Sequence, residues 1–113
     1  MDEQAVFDAL KYRIKVDVFG VRKYYNKDDQ LHRTDGPAIV YKDGSTDWYQ
    51  NDLMHRTDGP AIERANGTKL WYQNGLLHRI DGPAIEAADG DECWYLNGKP
   101  LTETEFNQAV KAL

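Results

Sequence analysis

Three histidines stand at a constant interval, each followed by arginine and, one residue further on, by Asp-Gly-Pro. The three copies are His32, Arg33, Asp35, Gly36 and Pro37; His55, Arg56, Asp58, Gly59 and Pro60; and His78, Arg79, Asp81, Gly82 and Pro83. Imidazoles with carboxylates nearby are the usual material of general acid–base catalysis and of metal sites. The spacing argues against both. Equivalent residues lie 23 positions apart. If each unit adds two strands to a sheet, neighbouring copies are roughly 10 Å apart. A zinc–nitrogen bond is about 2.1 Å, so three such histidines do not share one ion. A catalytic group is needed once, whereas a scaffold contact is needed in every unit. All fifteen residues are therefore expected to be scaffold, with Asp35, Asp58 and Asp81 accepting hydrogen bonds from the backbone or from the arginine, glycine freeing the bend, and proline fixing φ at a strand start.

Other chemistry is equally sparse. The runs Lys27-Asp28-Asp29 and Asp89-Gly90-Asp91-Glu92 lack the alternating oxygen ligands and closing glutamate of a calcium loop. Cys93 is the one cysteine. No histidine pairing or helix N-terminus is evident beside it to lower its pKa, so a packed thiol is expected. No phosphate loop, zincin helix, nucleophile elbow or Cys-x-x-Cys is present. The expectation is no catalytic residue, no metal and no cofactor, hence no enzyme.

The elements that hold these residues repeat as well. Leu31 to Ile39 recurs as Met54 to Ile62 and as Leu77 to Ile85. A fixed period of this length marks a repeat architecture, in which each unit buries its apolar surface against its neighbours. Each unit carries two hairpin signals, Asp43-Gly44, Asn66-Gly67 and Asp89-Gly90, then Asn51-Asp52, Asn74-Gly75 and Asn97-Gly98. Both are read as type I′ turns, which need positive φ at two successive residues. Strand segments flank the first turn: Pro37 to Lys42 and Ser45 to Gln50, Pro60 to Ala65 and Thr68 to Gln73, Pro83 to Ala88 and Asp91 to Leu96. The result is a mainly β protein, an antiparallel meander of tandem 23-residue hairpin units. Gly20 and Tyr24 repeat the four-residue spacing of Gly44 and Trp48, so residues 13–30 are a degenerate first unit with one residue inserted before His32. The full units are 31–53, 54–76 and 77–101. Residues 1–12 read as a short amphipathic helix. Thr102 and Glu105 form a capping box that opens a second helix within 102–113. Both helices are expected to cap the array of 13–101.

Alternation along the strands puts Ile39, Ile62 and Ile85 on one face with Tyr41, Arg64 and Ala87. Trp48, Trp71 and Trp94 point opposite to Tyr49, Tyr72 and Tyr95. Both faces thus receive aromatics. Positions that differ between units are free to recognise something, and rings and carboxylates are good anchors. The candidate partner-binding residues are Tyr24, Tyr25 and Tyr41; Asp47, Trp48 and Tyr49; Glu63, Trp71 and Tyr72; and Glu86, Glu92, Trp94 and Tyr95.

The net charge of −5, with acids and bases spread along the chain, speaks against sequence-independent nucleic-acid binding. It fits a protein that meets a basic surface. One cysteine, and an N-terminus without a basic, apolar leader, point to a reducing, cytoplasmic setting. No segment has the length and apolar character of a membrane span.

The strand–turn–strand plan and the Tyr, Asn-Gly and Gly positions of residues 18–101 resemble the MORN repeat and its bacterial variants. The signature of Trp71-Tyr72, Asn74-Gly75, Leu77-His78-Arg79 and Asp81-Gly82-Pro83-Ala84-Ile85 looks closer to repeat proteins of bacteriophages and large DNA viruses. Typical MORN units carry Tyr-x-Gly-x-x-x-x-Gly-x-Gly, which this chain lacks. The resemblance implies an interaction module, with toxin neutralisation among bacterial variants and lipid binding among other members. Together these lead to a non-enzymatic protein-binding module. Specifically, it is expected to be a small phage or bacterial inhibitor that occupies a host nuclease or defence complex in the cytoplasm. The alternatives are a structural, self-assembling protein that pairs as a homodimer and a peripheral membrane-binding module, with neither membrane nor direct nucleic-acid contact expected on charge grounds.

Overall fold

Two kinds of tight turn set the course of the chain. In the computed structural model, which describes residues 11–113, the Asn-x turns have positive φ at both central residues: Asn51 and Asp52, Asn74 and Gly75, Asn97 and Gly98. These are type I′ geometry, whose twist matches that of the strands. The Asp-Gly turns differ from expectation. Only the glycine is left-handed there, with Gly44 at 93° and Gly67 and Gly90 at 97°. Gly44 donates its N–H to the Tyr41 carbonyl, and Tyr41 donates to the Ser45 carbonyl. That is a three-residue loop, a type I turn closed by a glycine bulge. Asp43, Asn66 and Asp89 spend their side chains on the N–H two residues ahead, and this local bond favours the type I start. The same turn recurs at Asp17–Val21, with Gly20 at φ 80. The inserted residue before His32 enlarges one type I′ turn into a three-residue loop, Asn26 to Gln30, with Asp29 left-handed.

Between the turns the strands are short. In chain order they are β1 (Arg13–Val16), β2 (Arg22–Tyr25), β3 (Ile39–Val40), β4 (Thr46–Asp47), β5 (Tyr49–Gln50), β6 (Leu53–Met54), β7 (Ile62–Glu63), β8 (Lys69–Leu70), β9 (Tyr72–Gln73), β10 (Leu76–Leu77), β11 (Ile85–Glu86), β12 (Glu92–Leu96) and β13 (Lys99–Leu101). A nine-stranded antiparallel sheet runs β1-β2-β3-β4-β7-β8-β11-β12-β13. The hairpins β5–β6 and β9–β10 form a second row, continued by the far half of β12 with β13. The expected unbroken strands from the first turn to the second are interrupted at Trp48 and Trp71. At each, the N–H bonds one neighbour (Ala61 or Ala84) and the carbonyl bonds another (His55 or His78). The ladder changes partner there, and the chain passes from sheet to hairpin.

The hairpins are tied side by side. Arg33 donates to the Tyr49 carbonyl, Arg56 to Tyr72 and Arg79 to Tyr95. Asp52 donates to Leu31, Gly75 to Met54 and Gly98 to Leu77. Leu53 lies over Gly75, where a Cβ would stand 3.2 Å from its Cδ2, and φ there is 81°. Gly75→Ala is therefore expected to cost about 1–2 kcal/mol, read as a lowered urea midpoint. Asp52 occupies the equivalent place in the first hairpin. Its φ is 67°, and its carboxylate accepts the Leu31 N–H at 2.6 Å, which offsets the conformational cost.

The core is thin. Ala38, Ala61 and Ala84 are fully buried, with Ile39 and Ile62 nearly so, and none of the described large side chains is wholly enclosed. Their small size lets strands and bends approach closely. At the C-terminal end, Thr102 stands 23 residues after Arg79, and there the chain leaves the pattern. Thr102 caps α1 (Glu103–Lys111) with both halves of the capping box formed. The helix packs on β12 and β13 with Phe106 buried. The helix expected over 2–12 lies outside the described residues except for its last two, Lys11 and Tyr12. These form a bend, with Lys11 at φ 64°.

Candidate interaction surface

The recurring motif builds one device three times. The guanidinium of Arg56 lies 4.0 Å from the Trp48 ring centroid, that of Arg79 lies 3.8 Å from Trp71, and that of Arg33 lies 4.1 Å from Tyr24. On its other side each meets a glycine. A Cβ on Gly36, Gly59 or Gly82 would stand 2.7, 2.9 or 2.8 Å from the guanidinium carbon. This adds to the expected role of these glycines. They lie in the bend as expected, though outside the left-handed region among the described residues; a side chain there would also crowd the guanidinium. The fork then bonds Asp35, Asp58 or Asp81 through Nε and the carbonyl of Pro37, Pro60 or Pro83 through Nη1. Arg56 and Arg79 add Glu63 and Glu86.

The histidines join units. His32 Nδ1 accepts the N–H of Asn51, His55 that of Asn74 and His78 that of Asn97. Nδ1 acts as acceptor in all three, which places any ring proton on Nε2. Among the described residues no group of three or more His, Cys, Asp or Glu is placed to hold a metal ion.

The candidate partner-binding residues divide by what already holds them. Tyr24 and Asp47 are buried and have no surface to offer. Tyr12 packs edge-on against Tyr24. Asp47 takes the Tyr41 hydroxyl at 2.8 Å and Arg64 Nη1 at 2.7 Å. Trp48 and Trp71 lie under arginines, and Glu63 and Glu86 pair with the same arginines. Tyr25, Tyr49, Tyr72, Trp94 and Tyr95 are half-buried, so neither aromatic row is fully outside. Glu92 is exposed. Cys93 is exposed rather than packed, because no further unit follows to cover that side of β12.

Two pH effects follow from this network. Partial burial and the hydrogen bond to Asp47 push the Tyr41 phenol up to about 12 from an ordinary value of 10. Its protonated form thus contributes stability below pH 10 that is lost as pH rises toward 12. Tyr41→Phe is expected to flatten the alkaline limb of stability across that window, and ultraviolet titration of the wild type to show a lagging phenol. Hydrogen bonds from Arg33 and Arg56 hold Asp35 and Asp58 below 3.8. Their contribution is complete above that value and declines as pH falls through the lowered one.

Charge is distributed unevenly, against the expectation of an even spread. Residues 11–42 hold eight Lys and Arg against four Asp and Glu, while residues 43–113 hold six against twelve. The sheet order places the basic strands β1 and β2 at one end, with β12 and then β13 at the other. Near the acidic end is an open groove of about 440 Å³ with Ala87 and Ala88 in its lining and Glu86, Asp91 and Glu92 beside them. Ala87 stands where the earlier units hold Tyr41 and Arg64, while Ala88 matches Ala65 and replaces only Lys42.

The architecture defines a mainly β protein of antiparallel hairpins closed by one C-terminal helix. No protein-family model, no curated protein and no solved structure matches the chain. Among the described residues no helix is long and apolar enough to cross a membrane.

Proposed function

We propose that the chain is an array of tandem 23-residue hairpin units whose work is protein binding without catalysis. The surface that carries the reading is the acidic groove around Ala87 and Ala88. Its lining sets two alanines among carboxylates, the combination suited to a basic partner with a short apolar contact. The arginine–aromatic ladder supports the reading by giving the sheet a rigid frame. The C-terminal helix acts as a cap. The resemblance to phage repeat proteins adds a biological setting: an inhibitor that covers the nucleic-acid-binding surface of a host nuclease or defence complex in the cytoplasm.

Capture from bacterial lysate on the immobilised full chain tests this, followed by elution with nucleic acid. The expected result is a nucleic-acid-binding protein released by competing DNA or RNA, and lost when Asp91 and Glu92 are both changed to lysine. Capture that survives the double charge reversal, or no capture at all, overturns it.

A further inference from the structure

Phe19 is apolar at a place where the fold has no use for it. It lies at the tip of the β1–β2 turn, 77% exposed, next to Val18 at 94%. In the three Asp-Gly and Asn-Gly turns of the same shape this position holds Asp43, Asn66 or Asp89, each accepting a backbone N–H, and in the Asn26–Gln30 turn it holds Asp28. At the first turn Asp17 does that work, accepting from Phe19 at 2.9 Å and from Val21 at 3.1 Å. Position 19 is thereby released from turn duty, and an apolar ring there is disfavoured by water.

The surroundings of the tip are basic. Lys15, Arg22, Lys23 and Lys42 form no salt bridge with the described carboxylates. Lys15 and Lys23 face each other directly across the two strands, a like-charge pairing that costs stability. Lys42 lies beside Gly20 of the same turn. The groove near the other end has the opposite character. Ala87 and Ala88 lie in its lining beside Glu86, Asp91 and Glu92, with Lys69 as the cation among them.

We propose that the protein associates head to tail with a second copy of itself, the Val18–Phe19 knob of one copy entering the Ala87–Ala88 groove of the next. Each half supplies what the other lacks, in shape and in sign of charge. The surfaces in contact are different, so the association is heterologous and adds copies in a row unless the rotation closes a ring. Salt screens the attraction between the exposed charges. The groove is the one on which the preceding reading rests, but its occupant here is another copy of the chain.

Sedimentation of the purified full chain over a wide concentration range is the test. The wild-type mass is expected to rise with concentration and to fall back toward the monomer in high salt. Phe19→Asp removes the knob, and Ala88→Lys fills the groove and reverses its charge. Both positions are exposed, and circular dichroism checks that folding is intact. Each variant alone is expected to remain monomeric. An equimolar mixture of the two is expected to give a dimer and nothing larger, because Phe19→Asp retains a groove and Ala88→Lys retains a knob. If Ala88→Lys alters folding, Lys15→Glu with Lys23→Glu replaces it as a second knob-side variant expected to stay monomeric. A wild type that is monomeric throughout, association that persists in Phe19→Asp, or folded variants whose mixture yields no dimer overturns the proposal. Phe19→Asp leaves the acidic groove intact, so loss of self-association with retained capture of a basic partner separates this inference from the one before it.

Discussion

Replacing Arg56 by alanine is expected to cost about 3 kcal/mol of stability, and replacing it by lysine about 2 kcal/mol. The ion pair to Asp58 is not the reason. Asp58 is 75% exposed, and pairs of that kind contribute about 0–1 kcal/mol. Most of the loss comes from the stack on Trp48 and the bond from the charged fork to the Pro60 carbonyl at 3.1 Å. Lysine keeps the charge but is neither planar nor forked, so it does not fill the slot between the indole and Gly59 while reaching the carbonyl. A urea titration of the three proteins checks the order. A lysine variant as stable as wild type would show that charge alone matters.

Arg64→Ala is expected to be as damaging, about 3 kcal/mol, for a different reason. It leaves the Asp47 carboxylate, whose side chain is 5% exposed, with the Tyr41 hydroxyl but without its cation. Breaking a partly or fully buried pair from one side is costly, whereas replacing both partners with well-packed residues is often neutral. The chain supplies the replacement. One unit further on, Leu70 stands where Asp47 stands and Ala87 where Arg64 stands. The double variant Asp47→Leu, Arg64→Ala copies that arrangement and is expected to regain most of the lost stability. A double-mutant cycle reads the coupling. Additive losses would mean that the triad acts as three independent contacts.

The course of the chain was legible because it is written several times. Comparing the recurring segments with one another separates residues that recur from those that vary, and both hairpin signals follow from that comparison, while the capping box reads from Thr102 and Glu105 themselves. Finer features depended on contacts that spacing does not encode. Asp-Gly serves a two-residue or a three-residue loop equally well, and the Ser45 N–H donating to the Asp43 carboxylate favours the longer one. Gly59 reads as a bend residue, which it is; that it also faces the Arg56 guanidinium needed the fold. Cys93 reads as packed because nothing beside it in the sequence activates a thiol; the fold exposes it because β12 lacks the further strand that flanks its counterparts Asp47 and Leu70 at that point. The asymmetry of charge was hidden by the net value. The acidic groove left a trace in the sequence, Ala87 where the other units hold Tyr41 and Arg64, but the company of Asp91 and Glu92 required the fold.

The stitches from hairpin to hairpin have a short, constant reach. His32 meets Asn51, His55 meets Asn74 and His78 meets Asn97, each 19 residues ahead. Excising residues 54–76 would therefore remove the middle stitch along with its own hairpin, join Leu53 to Leu77 and leave the first and last stitches whole. The expected product is an intact protein shorter by one rung, recognisable by a lower melting temperature with an unchanged far-ultraviolet signature. In such a molecule length changes in discrete steps, the recurring stitches re-forming while a contact confined to one junction is lost: here Asp47 would meet Ala87 in place of Arg64. The distance between the two charged ends is then set by the number of rungs between them.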